Sequence, residues 1–304
     1  MTLDLSAAYG VDRFAAVRKR DLSGGEEDLG RWLLVEPDQL DATGDPGVTG
    51  YDGPQHLGRW FDWSAPFSFP DWFLAADDPV VQEVAARDLA CLERLDIDHD
   101  PQVVADFARY TGQDRWLTRA YPMPDRFRPR VMLDLGPGNG RLANAFLNGD
   151  DPVDTVIAVE GIAGPYLTQR AYYTGLGLRV ADYLDTDEPD RFDVTATAEG
   201  HDVVHLPTWR LDLVPDASVD LVCAVQVLKE LPATTVRFVL QHLRRVVRPG
   251  GAVYVRDHLE GHDLTGLPTD DLLMAHGFAL EFAPRVRDRI DLHGLPRLFR
   301  RTPG

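Results

Sequence analysis

Three glycines and two acids stand at spacings that could hold a nucleoside. Gly136, Gly138 and Gly140 interrupt the chain directly after the apolar run Val131–Leu135. A backbone without Cβ atoms can turn tightly there and let a ligand come close. Asp134 stands two positions before the first glycine. Glu160 follows a second apolar run, Thr155–Val159, and lies twenty positions after Gly140. An acid at the tip of a second strand can accept both hydroxyls of a ribose. The bland alternative is a turn that holds nothing, next to an exposed glutamate. The glycines read G-x-G-x-G. A dinucleotide loop needs G-x-G-x-x-G, and its third glycine position is occupied here by Arg141.

The elements around these residues must position them. Val131–Leu135 has the size of a buried strand, and Arg141–Asn148 follows as a helix with Leu142, Ala145 and Phe146 on one side. Strand, glycine turn and helix make the ligand-binding corner of a doubly wound α/β sheet. Beyond it, strands and helices alternate. A helix is expected from Tyr166 to Thr174, stopped by Gly175, then a third strand over Val203–Leu206 and a fourth over Val219–Val225. Thr234–Val247 has a helical apolar face, Ala252–Val255 is the fifth strand, and Phe278–Phe282 with Arg297–Arg300 forms a closing antiparallel pair. Residues 177–201 carry no clear pattern.

The first half reads differently. Residues 1 to about 50 are polar and irregular. Tyr51, Trp60, Phe61, Trp63, Phe67, Phe69, Trp72 and Phe73 crowd one stretch, with Pro66 and Pro70 forbidding a regular helix through it. Such a segment is either a flap on the main domain or a lid over an acceptor site. Asp78-Pro79 and Asp100-Pro101 are helix starts, and Thr111-Gly112 is expected to end the second helix. The domain boundary is placed near residue 128. Residues 1–128 form a helical and aromatic lid and substrate region, and residues 129–304 the ligand-binding domain.

Composition removes some functions. The chain carries 31 basic against 49 acidic residues, a formal charge of −18. That argues against partners rich in phosphate, both nucleic acid and anionic membrane. Two cysteines, Cys91 and Cys223, are too few for a disulfide framework or a cysteine-built zinc site. There is no signal-peptide pattern and no apolar run of membrane-spanning length, so a soluble, cytoplasmic protein is expected.

The motif D-x-G-x-G-x-G over Asp134–Gly140, with Glu160 after it, resembles motif I of the class I S-adenosylmethionine (SAM) methyltransferases. Three later segments are similar in order and spacing to that family's: Leu213–Val222, Leu243–Ala252 with its R-P-G-G, and Met274–Phe278. The helix Gly164–Tyr173 and the segment Gln226–Leu231 look loosely like bacterial sugar O-methyltransferases. The resemblance implies a Rossmann-like, seven-stranded α/β sheet over residues 129–304 with a mainly helical or irregular N-terminal extension. It implies SAM as cofactor and S-adenosylhomocysteine (SAH) as product. By position, Asp134, Gly136, Gly138 and Gly140 would hold the methionine end, Glu160 the ribose, Thr208 and Trp209 the adenine edge, and Gln226 the surroundings of the sulfonium. Trp209 is equally open to a place in the core.

For the transfer itself, His258 is the first candidate base, at the carboxyl end of the fifth strand beside Asp257, with Glu230 second. Asp257, His258 and His262 could hold a divalent metal, but no spacing rule requires it and none is expected. The leading expectation is O-methylation of a sugar or natural-product hydroxyl. N-methylation of an amino acid, amine or guanidine is the alternative, and a SAM-binding scaffold without chemistry the reading from another class. The expected partner is a small-molecule acceptor, with a homodimer left open.

Overall fold

The structure, a computed structural model, describes residues 51–64, 69, 71–120, 127–187, 192–231, 233–257, 268–283 and 294–303, with residues 63, 64, 120, 230 and 233–235 described by their backbone. Three helices come first: α1 (His56–Ser64), α2 (Pro79–Arg94) and α3 (Pro101–Ala120). Then strands and helices alternate: β1 (Val131–Leu135), α4 (Arg141–Phe146), β2 (Thr155–Glu160), α5 (Ala163–Gly175), β3 (Val180–Asp182), α6 (Val194–Ala198), β4 (Val203–Pro207), β5 (Val219–Val225), α7 (Ala233–Val246) and β6 (Val247–Asp257). The chain closes with α8 (Thr269–Ala275), β7 (Phe278–Phe282) and β8 (Leu295–Arg301).

The described strands form an eight-stranded sheet in the order β3-β4-β2-β1-β5-β6-β8-β7. The first six are parallel, and β8 runs antiparallel to β6 and β7. The expected count was seven. The added strand is β3, three residues inside the acidic stretch that showed no pattern, too short to leave a period in the sequence. The direction of winding reverses at β1, between β2 and β5, which opens a crevice beyond their carboxyl ends.

Both faces of the sheet are covered, as parallel strands require. Side chains alternate along β1: Met132 joins a core with Leu57, Phe61, Val81, Val84, Val104 and Phe107 from α1–α3, while Leu133 and Leu135 join the opposite core. There α7 presents Val236, Val239, Leu240, Leu243 and Val246, a helical stripe that is fully buried. Each such side chain stabilises the fold by about 1.5–3 kcal/mol.

Two sequence expectations are corrected. Thr111-Gly112 does not end α3, which continues to Ala120. Gly112 lies in the helix interior because a Cβ there would stand 3.1 Å from Val81 Cγ2, so the glycine serves the close approach of α2. Within the aromatic stretch α1 forms a nine-residue helix that ends ahead of Pro66. Asp78 caps α2 as expected, accepting from the N–H of Val80 at 2.9 Å.

Helix α3 is pinned to the sheet by a buried ionic cluster. Asp114 Oδ1 accepts from Tyr254 Oη at 2.6 Å and Arg256 Nε at 2.7 Å, and its Oδ2 from Arg141 Nη2 at 2.6 Å. Burial alone would raise the pKa of this carboxyl, but Arg256 and Arg141 outweigh it and hold the group down to about 2.

Candidate functional site

The site lies at the mouth of β1, β2 and β5. Gly136, Gly138 and Gly140 all have positive φ, at 59°, 62° and 87°, so the backbone needs glycine at each. Their open faces are covered by three different elements. A Cβ on Gly136 would meet Val227, from the loop after β5, at 2.5 Å. One on Gly138 would meet the six-membered ring of Trp60, from α1, at 3.0 Å. One on Gly140 would meet Tyr173, from α5, at 2.5 Å.

Asp134, next to last in β1, is 2% exposed, yet its Oδ2 has no hydrogen-bond partner among the described residues. Burial pushes its pKa up to about 8. Arg141 opposes that rise, and Glu160 and Asp114 add to it. Three further buried polar atoms near the loop share this condition among the described residues: Asn139 Nδ2, Trp60 Nε1 and Tyr173 Oη. An unmet buried polar group costs about 1–3 kcal/mol. Several at one crevice mark a place completed by a polar ligand.

Glu160, at the end of β2, is held rigidly. Its Oε1 accepts from the N–H of Gly161 at 2.8 Å and of Ile162 at 3.0 Å, and its Oε2 from Gln169 Nε2 at 2.9 Å. Burial raises its pKa to about 7 against these hydrogen bonds. Gln169 Nε2 also donates to the carbonyl of Gly138 at 2.7 Å, which joins the glycine loop to the acid on β2. With that nitrogen so engaged, Oε1 accepts from His205 Nε2 at 2.9 Å. The other ring nitrogen of His205 faces Asp182 Oδ2 at 3.2 Å, and Tyr166 both stacks on the imidazole at 3.7 Å and donates to Asp182 Oδ1 at 2.6 Å. Gln169 and Asp182 thus hold the His205 ring between them. Sequence reasoning did not single out Gln169, His205, Asp182 or Tyr166 as site residues. Only the placement of Gln169 and Tyr166 in the helix after β2 hinted at them.

The remaining candidates fall as follows. Gln226 follows β5 with φ 60°, a left-handed conformation unusual for a side chain of its kind, and its N–H donates to the carbonyl of Arg256 at 3.0 Å. Such backbone conformations cluster at ligand clamps. Thr208 is 7% exposed, and its Oγ1 would stand 3.1 Å from a Cβ on Gly161. Trp209 is buried in the core with Leu206, Leu211 and Val214. Asp257 ends β6 fully buried. Its Oδ2 accepts from the N–H of Lys229 at 3.3 Å, and its Oδ1 has no partner among the described residues. Burial raises its pKa to about 6, against Arg297 and Lys229. Glu230 closes the turn Leu228–Glu230, and its side chain lies outside the described set. His258 and His262 lie outside the described residues. Among the described residues, no three His, Cys, Asp or Glu side chains are grouped to hold a metal, and no helix is long and apolar enough to cross a membrane.

Residues 133–255 match the model of a methyltransferase domain family, a span that contains Asp134, the three glycines, Glu160 and Gln226. Among solved structures the chain is similar to the [4+2]-cyclase SpnF, at 14% identity and a TM-score of 0.45, covering 86% of this chain and 100% of that one. It is similar to Burkholderia thailandensis 1,6-didemethyltoxoflavin-N1-methyltransferase at 19% identity and a TM-score of 0.42, covering 78% and 94%. The CurJ carbon methyltransferase gives 13% and 0.44, covering 82% and 70%. No curated protein matches the sequence. Residues 133–255 thus carry a methyltransferase domain, and the protein is a SAM-dependent methyltransferase.

Proposed function

We propose that the protein methylates a hydroxyl group of a small molecule, a sugar or another natural product. The observation that supports the cofactor half of this reading is the meeting of Asp134, whose Oδ2 has no partner among the described residues, with the glycine loop and Glu160. One end of the crevice is built for a cation and the other for a diol. Asp134 Oδ2 would receive the ammonium of SAM, the loop from Gly136 to Gly140 would lie along its methionyl part, and Glu160, oriented by Gln169, would take the ribose hydroxyls. Gln226 stands at the end of β5, on the side of β1 away from Glu160.

When bound, SAM supplies a methyl group already activated by its sulfonium. The chain's own work is to bring an acceptor oxygen into line, which can lower the barrier by roughly 7–11 kcal/mol. The turn Leu228–Glu230 is held for this by Asp257 through the N–H of Lys229. An alcohol must also shed a proton, and a neutral imidazole or a carboxylate near the acceptor oxygen can take it, an effect of about a hundredfold or more. The formal charge of −18 favours a neutral or cationic small molecule over nucleic acid.

Calorimetry with SAH tests the cofactor half of this reading, and conversion of SAM to SAH across a panel of sugars, phenols and amines tests the acceptor half. Turnover confined to amines would replace hydroxyls by nitrogen as the target. Binding without turnover on any acceptor would leave a SAM-binding scaffold.

A further inference from the structure

Helix α1 stands outside the stretch matched by the family model, yet one of its faces is turned toward the glycine loop. His56 and Trp60 are four residues apart and share that face of the helix. Leu57 and Phe61, one position on from each, are buried in the core beneath. The ring of Trp60 lies against Gly138, while its Nε1 is buried without a partner among the described residues. One turn earlier, His56 is 1% exposed, and its Nε2 also lacks a partner among the described residues. Two ring nitrogens on one helical face are both withheld from water and both unmet among the described residues, and Trp60 sets that face against the glycine loop.

The imidazole is oriented from behind. Its Nδ1 lies 3.3 Å from Asp52 Oδ1. Arg59 pairs with the same carboxylate, Nη2 to Oδ2 at 2.5 Å, and its Nη1 also reaches Nδ1, at 3.4 Å. A carboxylate at Nδ1 keeps the hydrogen on that nitrogen and leaves a lone pair on Nε2. An aspartate behind a histidine whose other nitrogen is buried and unmet is an arrangement for taking a proton.

We propose that the His56–Trp60 face of α1 is the acceptor-side wall of the SAM site, with His56 as the residue that takes the proton of the transferring hydroxyl. This rests on the reading of the protein as an O-methyltransferase. In the step, the acceptor oxygen forms the new bond to the methyl carbon and the C–S bond breaks. The sulfur keeps the electron pair, and the hydroxyl proton passes to His56 Nε2. Asp52 is a positioning residue that stabilises the resulting imidazolium. Trp60 covers the loop and offers Nε1–H to an acceptor on the bound cofactor.

The test needs no identified acceptor. SAH is titrated calorimetrically into the wild-type protein and into Trp60→Phe and Trp60→Ala. The Phe variant keeps the packed ring and guards against misfolding as an explanation. Imidazole 15N resonances are recorded in parallel, with His56 assigned by its absence in His56→Gln. The expected result is SAH binding weakened about tenfold in Trp60→Phe, the loss of one hydrogen bond to a charged group, and further in Trp60→Ala. The His56 signals should show Nδ1–H and a bare Nε2, and they should move on saturation with SAH. Undiminished SAH binding by both Trp60 variants, a hydrogen resident on Nε2 of the neutral ring, or His56 signals indifferent to SAH would each overturn the proposal while leaving the cofactor site intact. If the wild-type protein itself binds no SAH, the proposed function falls and this wall with it.

Discussion

Gln169 donates to Glu160 Oε2 at 2.9 Å with the same amide nitrogen that reaches the carbonyl of Gly138. One side chain from α5 therefore fixes the distance between the two ends of the cofactor site. Gln169→Ala should weaken SAH binding about tenfold, because Glu160 loses a charge-assisted hydrogen bond and the loop its tether. It should also destabilise the protein by about 1–3 kcal/mol by leaving buried acceptors unmet. Calorimetry and denaturant unfolding measure the two effects separately. Full SAH affinity in this variant would show that Glu160 needs no such support.

The pH dependence of binding follows from Asp134. Its carboxyl, ordinarily near 3.8, is pushed up to about 8 by burial, so at neutral pH the unliganded site holds it protonated. Bringing an ammonium against it expels the proton. SAH affinity should therefore rise as pH increases toward 8 and level off above it. Titrations in buffers of different ionisation enthalpy should register a released proton at pH 7. An affinity that is flat from pH 6 to 8 would remove Asp134 from the amino-group site.

The same group works against the unliganded fold. A carboxyl whose pKa is higher folded than unfolded lends stability below about 3.8, and that contribution is lost as pH rises through about 8. Asp134→Asn should make the unliganded protein more resistant to urea at pH 8 and weaken its SAH binding tenfold or more, on the order expected for a lost charged pair. Loss of both stability and binding would mean that the carboxylate has a structural partner.

Asp114→Asn tests the ionic cluster beneath α3. The substitution leaves Arg256 and Arg141 buried without their counter-charge and should cost about 3–5 kcal/mol in unfolding free energy. Adding Arg256→Met to it should restore part of that loss, since a buried pair removed as a pair costs less than one broken. Additive losses in the double variant would show that the two residues act independently.

What the sequence made legible was whatever is local. The glycine turn, the acid ending β2 and the cap at Asp78 are each specified by residues within a few positions of one another, and the structure has them in the expected elements. What it left dark depends on residues far apart. Asp114 and Arg256 are 142 positions apart, and nothing in either neighbourhood announces the other. Gly112 looked like a stop and proved to be a contact surface, because the packing of α2 outweighs local helix propensity. His205 was legible as a strand residue. That its ring supports Gln169 is a tertiary fact carried by α5 and β3 together. Asp257 stands at the end of its strand beneath Lys229 and Arg297, while His258 and the side chain of Glu230 lie outside the described residues.

The carboxylate of Asp114 has a consequence for how this protein can be cut. A fragment trimmed to the matched stretch, or started at Val131, would keep Arg141 and lose its only described counter-ion within salt-bridge range, and would bare the apolar side of Val156 and Ala158. The matched stretch should therefore not fold by itself. Anyone shortening the gene for expression should expect aggregates from that piece and a well-behaved product only when the helices from His56 onward travel with it.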